Sequence, residues 1–238
     1  MENQTTPEIK LLSGRSVLIT YGNEIDLQVS MQIYHVAQFL GRGQENWITE
    51  IVPAYCSLSV FFDLSQVMQW CGESHPLEWV MSRLEKLIRD AGSSQTVLGG
   101  RGQLHAIPVC YDGEDLQEIS RLKNLDVQAI VEIHTSRVYA VFMIGFLPGF
   151  AYLGTVDERI AVPRHTKPRT KVSAGSVGIA GVQTGVYPMD SPGGWQIIGR
   201  TPVAMFNPAA STPSLLRHGD SVRFYPISSD QFEELRGH

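Results

Sequence analysis

The 238-residue sequence is short of cysteine, and its three cysteines, Cys56, Cys71 and Cys110, show no CxxC spacing. A disulfide framework or a structural zinc site is therefore not expected, and a reducing compartment fits better. The sequence also lacks any apolar run near the roughly 20 residues that span a bilayer. Residues 1–10 have no apolar core of the kind that a signal peptide needs. These absences predict a soluble cytoplasmic protein.

Basic charge is scarce as well. Lys and Arg number 19 against 24 Asp and Glu, which gives a net charge of −5 and a pI of about 5.8. This balance gives no reason to expect nucleic acid or an anionic membrane as a partner. The seven histidines form no HxxxH or HxH pair, so no metal site is expected. The hydrophobic content of 43% predicts a globular protein with one large domain or two smaller ones.

Patterns in the first part of the chain predict a small α/β domain. Amphipathic helices begin after Asp26 and at Pro76, and they alternate with β-rich runs. These runs lie at residues 16–21, 47–53, 57–62 and 104–111. The order β-α-β-β-α-β is ferredoxin-like, although the fourth strand also fits the next domain. A Gly/Ser-rich stretch near residues 92–102 predicts the domain boundary, so that the domains would be residues 1–95 and 96–238.

The second part of the chain predicts a β-barrel. Residues 115–123 and 127–134 are expected to form short helices, with Asp115 and Asp126 as their N-terminal caps. From residue 138 onward, short β-rich runs are separated by Gly and Pro. This composition favours a closed barrel or a sandwich over a parallel α/β sheet.

The most informative segment is a Gly/Pro/Arg tract at residues 139–203. Glycine at this density lets backbone approach backbone or ligand where a Cβ atom would clash. Only two carboxylates, Asp157 and Glu158, lie between Gly145 and Tyr187. The cationic side chains of the tract are Arg164, Lys167, Arg169, Lys171 and Arg200. A turn-rich, locally cationic surface suits an anionic small molecule better than a long polymer.

Each motif in this tract has a purely structural alternative. Arg164 and Arg169 each follow a proline and could grip a carboxylate or phosphate with two hydrogen bonds, or could simply be solvated or ion-paired. Residues 173–178 fit a phosphate-cradling loop or, equally, a tight β-turn. Residues 145–154 fit the wall of a ligand pocket or a packed corner of the barrel. His134 ends a predicted helix, where the helix dipole would favour its imidazolium form.

Taken together, these strings resemble the KipI family. The strings are GFLPGFAYLG, PRHTKPRTKVSAGSVGIAG, QTGVYPMDSPGGWQIIGRTP, VPAYCSL and IPVCYDGEDL. The family includes the B subunit of bacterial 5-oxoprolinase, the allophanate hydrolase subunit 1 proteins and one half of the carboxyltransferase region of urea carboxylase. The resemblance covers residues 16–227 and is most specific over residues 139–203. It implies an α+β protein, with an N-terminal ferredoxin-like α/β domain followed by a cyclophilin-like β-barrel domain.

The resemblance also implies a function. The chain would be the B subunit of an ATP-dependent 5-oxoprolinase, inactive without its partner subunits. With the enzyme's C subunit it would phosphorylate 5-oxoproline, so that the A subunit, in turn, can open the product to L-glutamate. ATP would be the co-substrate, bound by this chain or mainly by its partner. Two alternatives stay open, namely a KipI-like inhibitor of a sensor histidine kinase and a carboxyltransferase-type subunit in urea or allophanate metabolism.

Site residues follow from the same resemblance. Arg164 and Arg169 would bind an anion, while Gln183 and Tyr187 would orient the lactam, and these four form the predicted catalytic group. The substrate-binding residues predicted from the resemblance are Phe150, Tyr152, Ser176 and Arg200, to which Lys167 of the cationic tract and His134 at the end of its predicted helix are added. The sequence departs from the family pattern at Cys56, Lys167 and Ser173. Among these, Lys167 adds a charge to the expected cleft.

Overall fold

The chain folds into two compact units, Met1–Arg101 and Gly102–His238, and each is described by itself. The computed structural model describes residues 7–42, 45–72, 75–93 and 102–237. The predicted boundary after residue 95 falls within 94–101, outside the described residues. Within the described ranges, no helix is long and apolar enough to cross a membrane.

The N-terminal unit is a four-stranded antiparallel sheet with three helices. Its elements are β1 (Glu8–Ser13), β2 (Ser16–Thr20), α1 (Leu27–Leu40), β3 (Ile48–Pro53), β4 (Ser57–Phe62), α2 (Leu64–Cys71) and α3 (Pro76–Ser93). The strands lie in the order β1-β2-β4-β3. Asp26 caps α1, as predicted, by accepting a 3.0 Å hydrogen bond from the Val29 N–H. The apolar faces of the helices bury Ile33 and Leu84 against Val17 of the sheet.

The order β2-α1-β3-β4-α3 agrees with the predicted ferredoxin-like pattern apart from the short α2, but the fourth strand differs from the first expectation. β1 occupies the sheet edge beside β2, with Ile9 opposite Ile19. The run at 104–111 instead forms β5 (Leu104–Val109) of the second unit. β1 was not predicted because its residues are mostly exposed, so its sequence has no repeating buried position.

The C-terminal unit is a nearly closed barrel, as predicted. After β5 its elements are α4 (Leu116–Lys123), α5 (Val127–Thr135), β6 (Val138–Ile144), β7 (Ala151–Gly154), β8 (Arg169–Val172), β9 (Ser176–Ala180), β10 (Gln183–Val186), β11 (Ser191–Gly193), β12 (Gln196–Arg200), β13 (Ser221–Pro226) and α6 (Ser229–Arg236). Seven strands follow the order β12-β9-β10-β7-β6-β13-β5. The two ends of this sheet meet where Cys110 and Arg200 exchange backbone hydrogen bonds of 2.8 and 2.9 Å.

Two apolar layers fill the C-terminal unit. Val177 and Ile179 of β9 point into the barrel core. On the opposite face of the sheet, Trp195 packs over two glycines. A Cβ atom on Gly178 or Gly185 would lie 3.2 Å from atoms of Trp195. The glycines of β9 and β10 therefore make room for a second, aromatic layer outside the barrel.

Candidate functional site

An aromatic cluster covers the outer face of β7 and β10. The ring centroid of Phe150 lies 4.8 Å from Tyr152, 5.4 Å from Tyr187 and 5.3 Å from Trp195, in edge-to-face contacts. Phe150, Tyr187 and Trp195 are buried, whereas Tyr152 is half-buried. The aromatic cluster thus consists of three buried rings, with Tyr152 at its solvent-exposed side.

Arg164 lies beside this aromatic cluster, and the residue is exposed to solvent. Burial raises the pKa of the Tyr152 and Tyr187 hydroxyls, and the positive charge of Arg164 partly opposes both shifts. The nearby carboxylates Asp157 and Asp115 form ion pairs with other arginines. Within the described part of the chain, Arg164 therefore keeps a guanidinium with no carboxylate partner, next to two protonated phenols.

Arg169, by contrast, is held by carboxylates. Its Nη2 donates to Asp115 Oδ1 at 2.6 Å and its Nε to Glu114 Oε1 at 2.9 Å. The buried Asp115 also accepts a 2.6 Å hydrogen bond from the Ile197 N–H and lies 3.2 Å from Nε2 of His165. One carboxylate thus ties the start of α4 to β8, β12 and the loop that carries Arg164.

Asp115 corrects one expectation. It precedes α4, but its side chain forms no hydrogen bond with the first turn of that helix. Asp126 does cap α5, by accepting a 2.6 Å bond from the Ala129 N–H. Asp115 instead accepts hydrogen bonds from Arg169 and from the Ile197 N–H, and so links α4 to β8 and β12. A sequence pattern cannot separate these roles, since both place an aspartate one residue before a helix.

Gln183 projects from the same side of the sheet as the aromatic cluster. It starts β10 and pairs with Gly154, two residues after Tyr152 on β7. Alternate residues of a strand share a face, so Gln183 and Tyr152 lie on one side. Val162, two residues before Arg164, pairs with Gly181 at the same end of β10. The structure therefore brings Gln183, Arg164 and the aromatic cluster to one face, which we call the Arg164 face. The exposed Lys167 lies in the adjoining loop.

Ser176 lies on the outer face of β9, opposite the side of Val177 and Ile179, and Arg200 ends β12. They pair with each other in the β9–β12 ladder, beside a cavity of about 480 Å³. Arg200 stacks 4.1 Å from the centroid of Phe232 and forms ion pairs with Asp112 at 2.9 Å and Glu233 at 3.7 Å. The lining of this cavity contains none of the rings of the aromatic cluster. Arg200 thus already forms ion pairs with two carboxylates.

Residues 173–175 form a tight turn that leads into β9. The Ala174 N–H donates to Asp190 at 2.9 Å, the Gly175 N–H to the Tyr187 carbonyl at 2.8 Å, and the Ser176 N–H to Ser173 at 3.2 Å. Because these three donors are occupied, the phosphate-cradling alternative is not supported. The turn serves the fold, with Gly175 in a left-handed conformation at φ +82°.

His134 lies inside the barrel, away from the Arg164 face. Its Nδ1 is 2.8 Å from the Tyr111 hydroxyl and its Nε2 is 2.9 Å from Thr184 Oγ1. Thr184 Oγ1 donates its proton to the Gly178 carbonyl, so it accepts from Nε2–H, and Tyr111 donates to Nδ1. Burial lowers the pKa of His134 to about 3. The expected imidazolium is therefore wrong, because the imidazole is neutral and both its nitrogens are bonded.

Known proteins match the whole of this architecture. The signature of the carboxyltransferase domain, subdomain C and D, covers residues 7–216. The B subunit of 5-oxoprolinase from Escherichia coli O157:H7 is 44% identical over 91% of this chain and 94% of its own. The chain belongs to this carboxyltransferase family. The B subunit of 5-oxoprolinase from Bacillus subtilis is a further family relative, 40% identical over 96% of both chains.

The family also includes larger proteins. The crystal structure of TTHA0988 superposes with a TM-score of 0.78 at 32% identity, over 90% of this chain and 40% of that one. A urea amidolyase from Lachancea kluyveri is 24% identical over 93% of this chain, which spans 13% of that protein. The resemblance predicted from the sequence strings is confirmed by these matches. Within the described residues, no group of three or more His, Cys, Asp or Glu side chains is placed to hold a metal ion.

Proposed function

We propose that this chain is the B subunit of an ATP-dependent 5-oxoprolinase. The observation that carries the proposal is the match to two proteins named as this subunit, at 40% and 44% identity over more than nine-tenths of each chain. With the C subunit, the chain would phosphorylate 5-oxoproline. The A subunit would then complete the opening of the ring to L-glutamate.

The Arg164 face has the chemistry that such a substrate needs. 5-Oxoproline carries a carboxylate and a lactam carbonyl, and transfer of the terminal phosphoryl group of ATP to the lactam oxygen adds negative charge. Arg164 has no carboxylate partner among the described residues and so is available to bind one of these anions. Lys167 adds a second exposed cation, while Arg169 supports the loop through Asp115.

Tyr187 and Gln183 would orient the lactam. Burial raises the pKa of Tyr187, so its hydroxyl stays protonated at neutral pH. Because Tyr187 is buried and its hydroxyl already interacts with the Trp195 backbone, it would act through the aromatic cluster that it helps to form. The oxygen–phosphorus bond to ADP breaks as the bond to the lactam oxygen forms. Water then adds to the activated carbon, the ring C–N bond breaks and phosphate leaves.

ATP is the co-substrate in this proposal, and the C subunit would supply part of the site that holds it. Arg164 and Lys167 are both exposed, so the Arg164 face has no covering wall on that side. Phosphoryl transfer needs an enclosed site in which charge is stabilised without competing water. A second chain that covers this face would provide that enclosure.

Reconstitution tests the proposal. This chain is mixed with the A and C subunits, ATP and 5-oxoproline, and released L-glutamate is measured. Arg164→Ala should lower the rate at least about 100-fold, since it removes a charged group from the developing anion. Arg121→Ala is the matched control, because Arg121 is an exposed arginine on α4 that pairs with Glu118. No ATP-dependent glutamate from the wild-type mixture would refute the proposal and leave the kinase-inhibitor and urea or allophanate alternatives as predictions.

A further inference from the structure

Phe146 combines two unfavourable properties in the GFLPGF turn. Its backbone adopts φ +71°, the left-handed region that bulky residues avoid. Its side chain is 62% exposed, the largest exposed fraction among the exposed large hydrophobic residues of the described chain. A bulky residue in this conformation destabilises the folded chain relative to Gly or Asn. Folding alone would favour Gly or Asn at this position.

The surrounding turn holds Phe146 in place. Gly145 N–H donates to the Phe150 carbonyl and Phe150 N–H to the Leu147 carbonyl, both at 3.0 Å. Gly149, at φ +81°, packs so closely on Phe206 that a Cβ atom would lie 2.7 Å from the Cβ of Phe206. Leu147 packs against the aromatic cluster. The conformation of Phe146 is therefore imposed by its neighbours.

The ring of Phe146 continues the aromatic cluster into solvent. Its centroid lies 5.7 Å from that of Phe150 at an interplanar angle of 89°. Phe150 in turn contacts Tyr152, which faces Arg164. One edge-to-face pair contributes modestly to stability, on the same scale as the cost of the backbone conformation or below it. Packing within the folded chain therefore gives little net stabilisation to a phenylalanine at this position.

We infer that Phe146 is an anchor residue for the partner protein that covers the Arg164 face, an inference that rests on the proposed function. A ring this exposed cannot enclose a small substrate by itself, because ligand sites bury 70–90% of their ligands. Aromatic rings that project from a rigid turn are typical anchors of protein interfaces. The second chain would therefore accept the Phe146 ring in an apolar recess.

The exposed cations of this chain indicate which charged groups the partner would carry around that recess. Arg164 and Lys167 are exposed and, within the described ranges, neither pairs with a carboxylate. A partner that buries Phe146 also comes close to these two cations, and an uncompensated charge at an interface is costly. The partner is thus expected to present carboxylates beside an apolar recess. The C subunit of the proposed enzyme is the occupant to which the inference commits.

The test uses the full-length chain and the purified C subunit, without ATP or 5-oxoproline. Phe146→Asn removes the ring and places a residue that tolerates positive φ, whereas Phe146→Ala removes the ring and keeps the strain. Both variants should raise the Kd of the complex with the C subunit by about 30-fold or more. Leu122→Ala is the control, because Leu122 is 60% exposed on α4 and should leave the Kd unchanged.

Stability separates an anchor from a packing residue. The melting temperature of Phe146→Asn should be no lower than that of the wild type and about 2–4 °C above that of Phe146→Ala. Protection from hydrogen exchange in β6 and β7 is measured alongside as the local readout of stability. A packing role predicts the reverse, with lower melting temperatures for both variants and an unchanged Kd. That result would overturn the inference, as would a wild-type chain that does not bind the C subunit. Tight binding without glutamate release would refute the proposed reaction and leave the anchor intact.

Discussion

Asp115 offers the sharpest test of how the site is built. In the substitution Asp115→Asn, the side chain keeps its size and one acceptor oxygen but loses its charge. The carboxylate bonds Arg169 at 2.6 Å and the Ile197 N–H at 2.6 Å, and its side chain is only 8% exposed. Hydrogen bonds to charged groups contribute about 1.5–3 kcal/mol each, roughly twice a neutral bond. Asn can keep only one of these bonds, in its weaker neutral form, and places an NH2 donor against the other donor, so the free energy of unfolding of the C-terminal unit should fall by about 2–3 kcal/mol.

The matched control is Asp112→Asn. Asp112 lies three residues earlier and also pairs with an arginine, at 2.9 Å to Arg200 Nε, but both side chains are more than a third exposed. Exposed ion pairs contribute about 0–1 kcal/mol, so this variant should lose less than about 1 kcal/mol. Because both variants make the same Asp→Asn change, the difference between them isolates the contribution of burial from that of ion pairing.

The assay is urea unfolding, monitored by hydrogen exchange with mass spectrometry. This readout distinguishes β8, β9 and β12 from the N-terminal unit, whose unfolding need not coincide with theirs. If Asp115→Asn and Asp112→Asn lose the same free energy within about 0.5 kcal/mol, the argument that Asp115 is the buried anchor of Arg169 is wrong.

Two further predictions concern buried groups. Burial lowers the pKa of His134 to about 3 and of His218 to about 4, so below pH 6.5 the unfolded chain binds protons that the folded chain excludes. The free energy of unfolding should therefore fall by about 2 kcal/mol per histidine between pH 7 and pH 5, and equal urea midpoints at the two pH values would contradict it. Gly193→Ala would place its Cβ 2.3 Å from Tyr187 Oη, so it should destabilise by about 1–3 kcal/mol and displace that ring. Gly14→Ala, where a Cβ meets nothing within 4 Å, should change the same urea-unfolding measurement by less than about 0.5 kcal/mol.

Much of the architecture could be predicted because it depends on local patterns. The stripe that includes Ile33 and Leu40 marked α1, and Pro76 marked the start of α3. β1 could not be found in this way, because Ile9 packs against the core while its neighbours stay exposed. The partner of β5 could not be found either, since the pairing of Leu104 with Ser221 joins residues far apart in the chain.

The candidate site was only partly predictable. The motif strings pointed to Phe150, Tyr152 and Arg164, which the structure places on one face. The predicted end of α5 pointed to His134, whose burial depends on the closure of the barrel. The exposure of Phe146 and the role of Asp115 depend on turn geometry and on strands that meet from distant parts of the chain.

The three arginines of the tract show why residue type alone does not define a site. Arg164 and Arg169 each follow a proline, and Arg200 ends a strand, so all three are plausible anion ligands by sequence. Carboxylates of the segment 112–115 decide between them, since Asp112 pairs with Arg200 and Asp115 with Arg169. This segment joins β5 to α4, and the barrel closes by bringing it against β12. Closure of the barrel therefore pairs two arginines with carboxylates, whereas Arg164 has no carboxylate partner among the described residues.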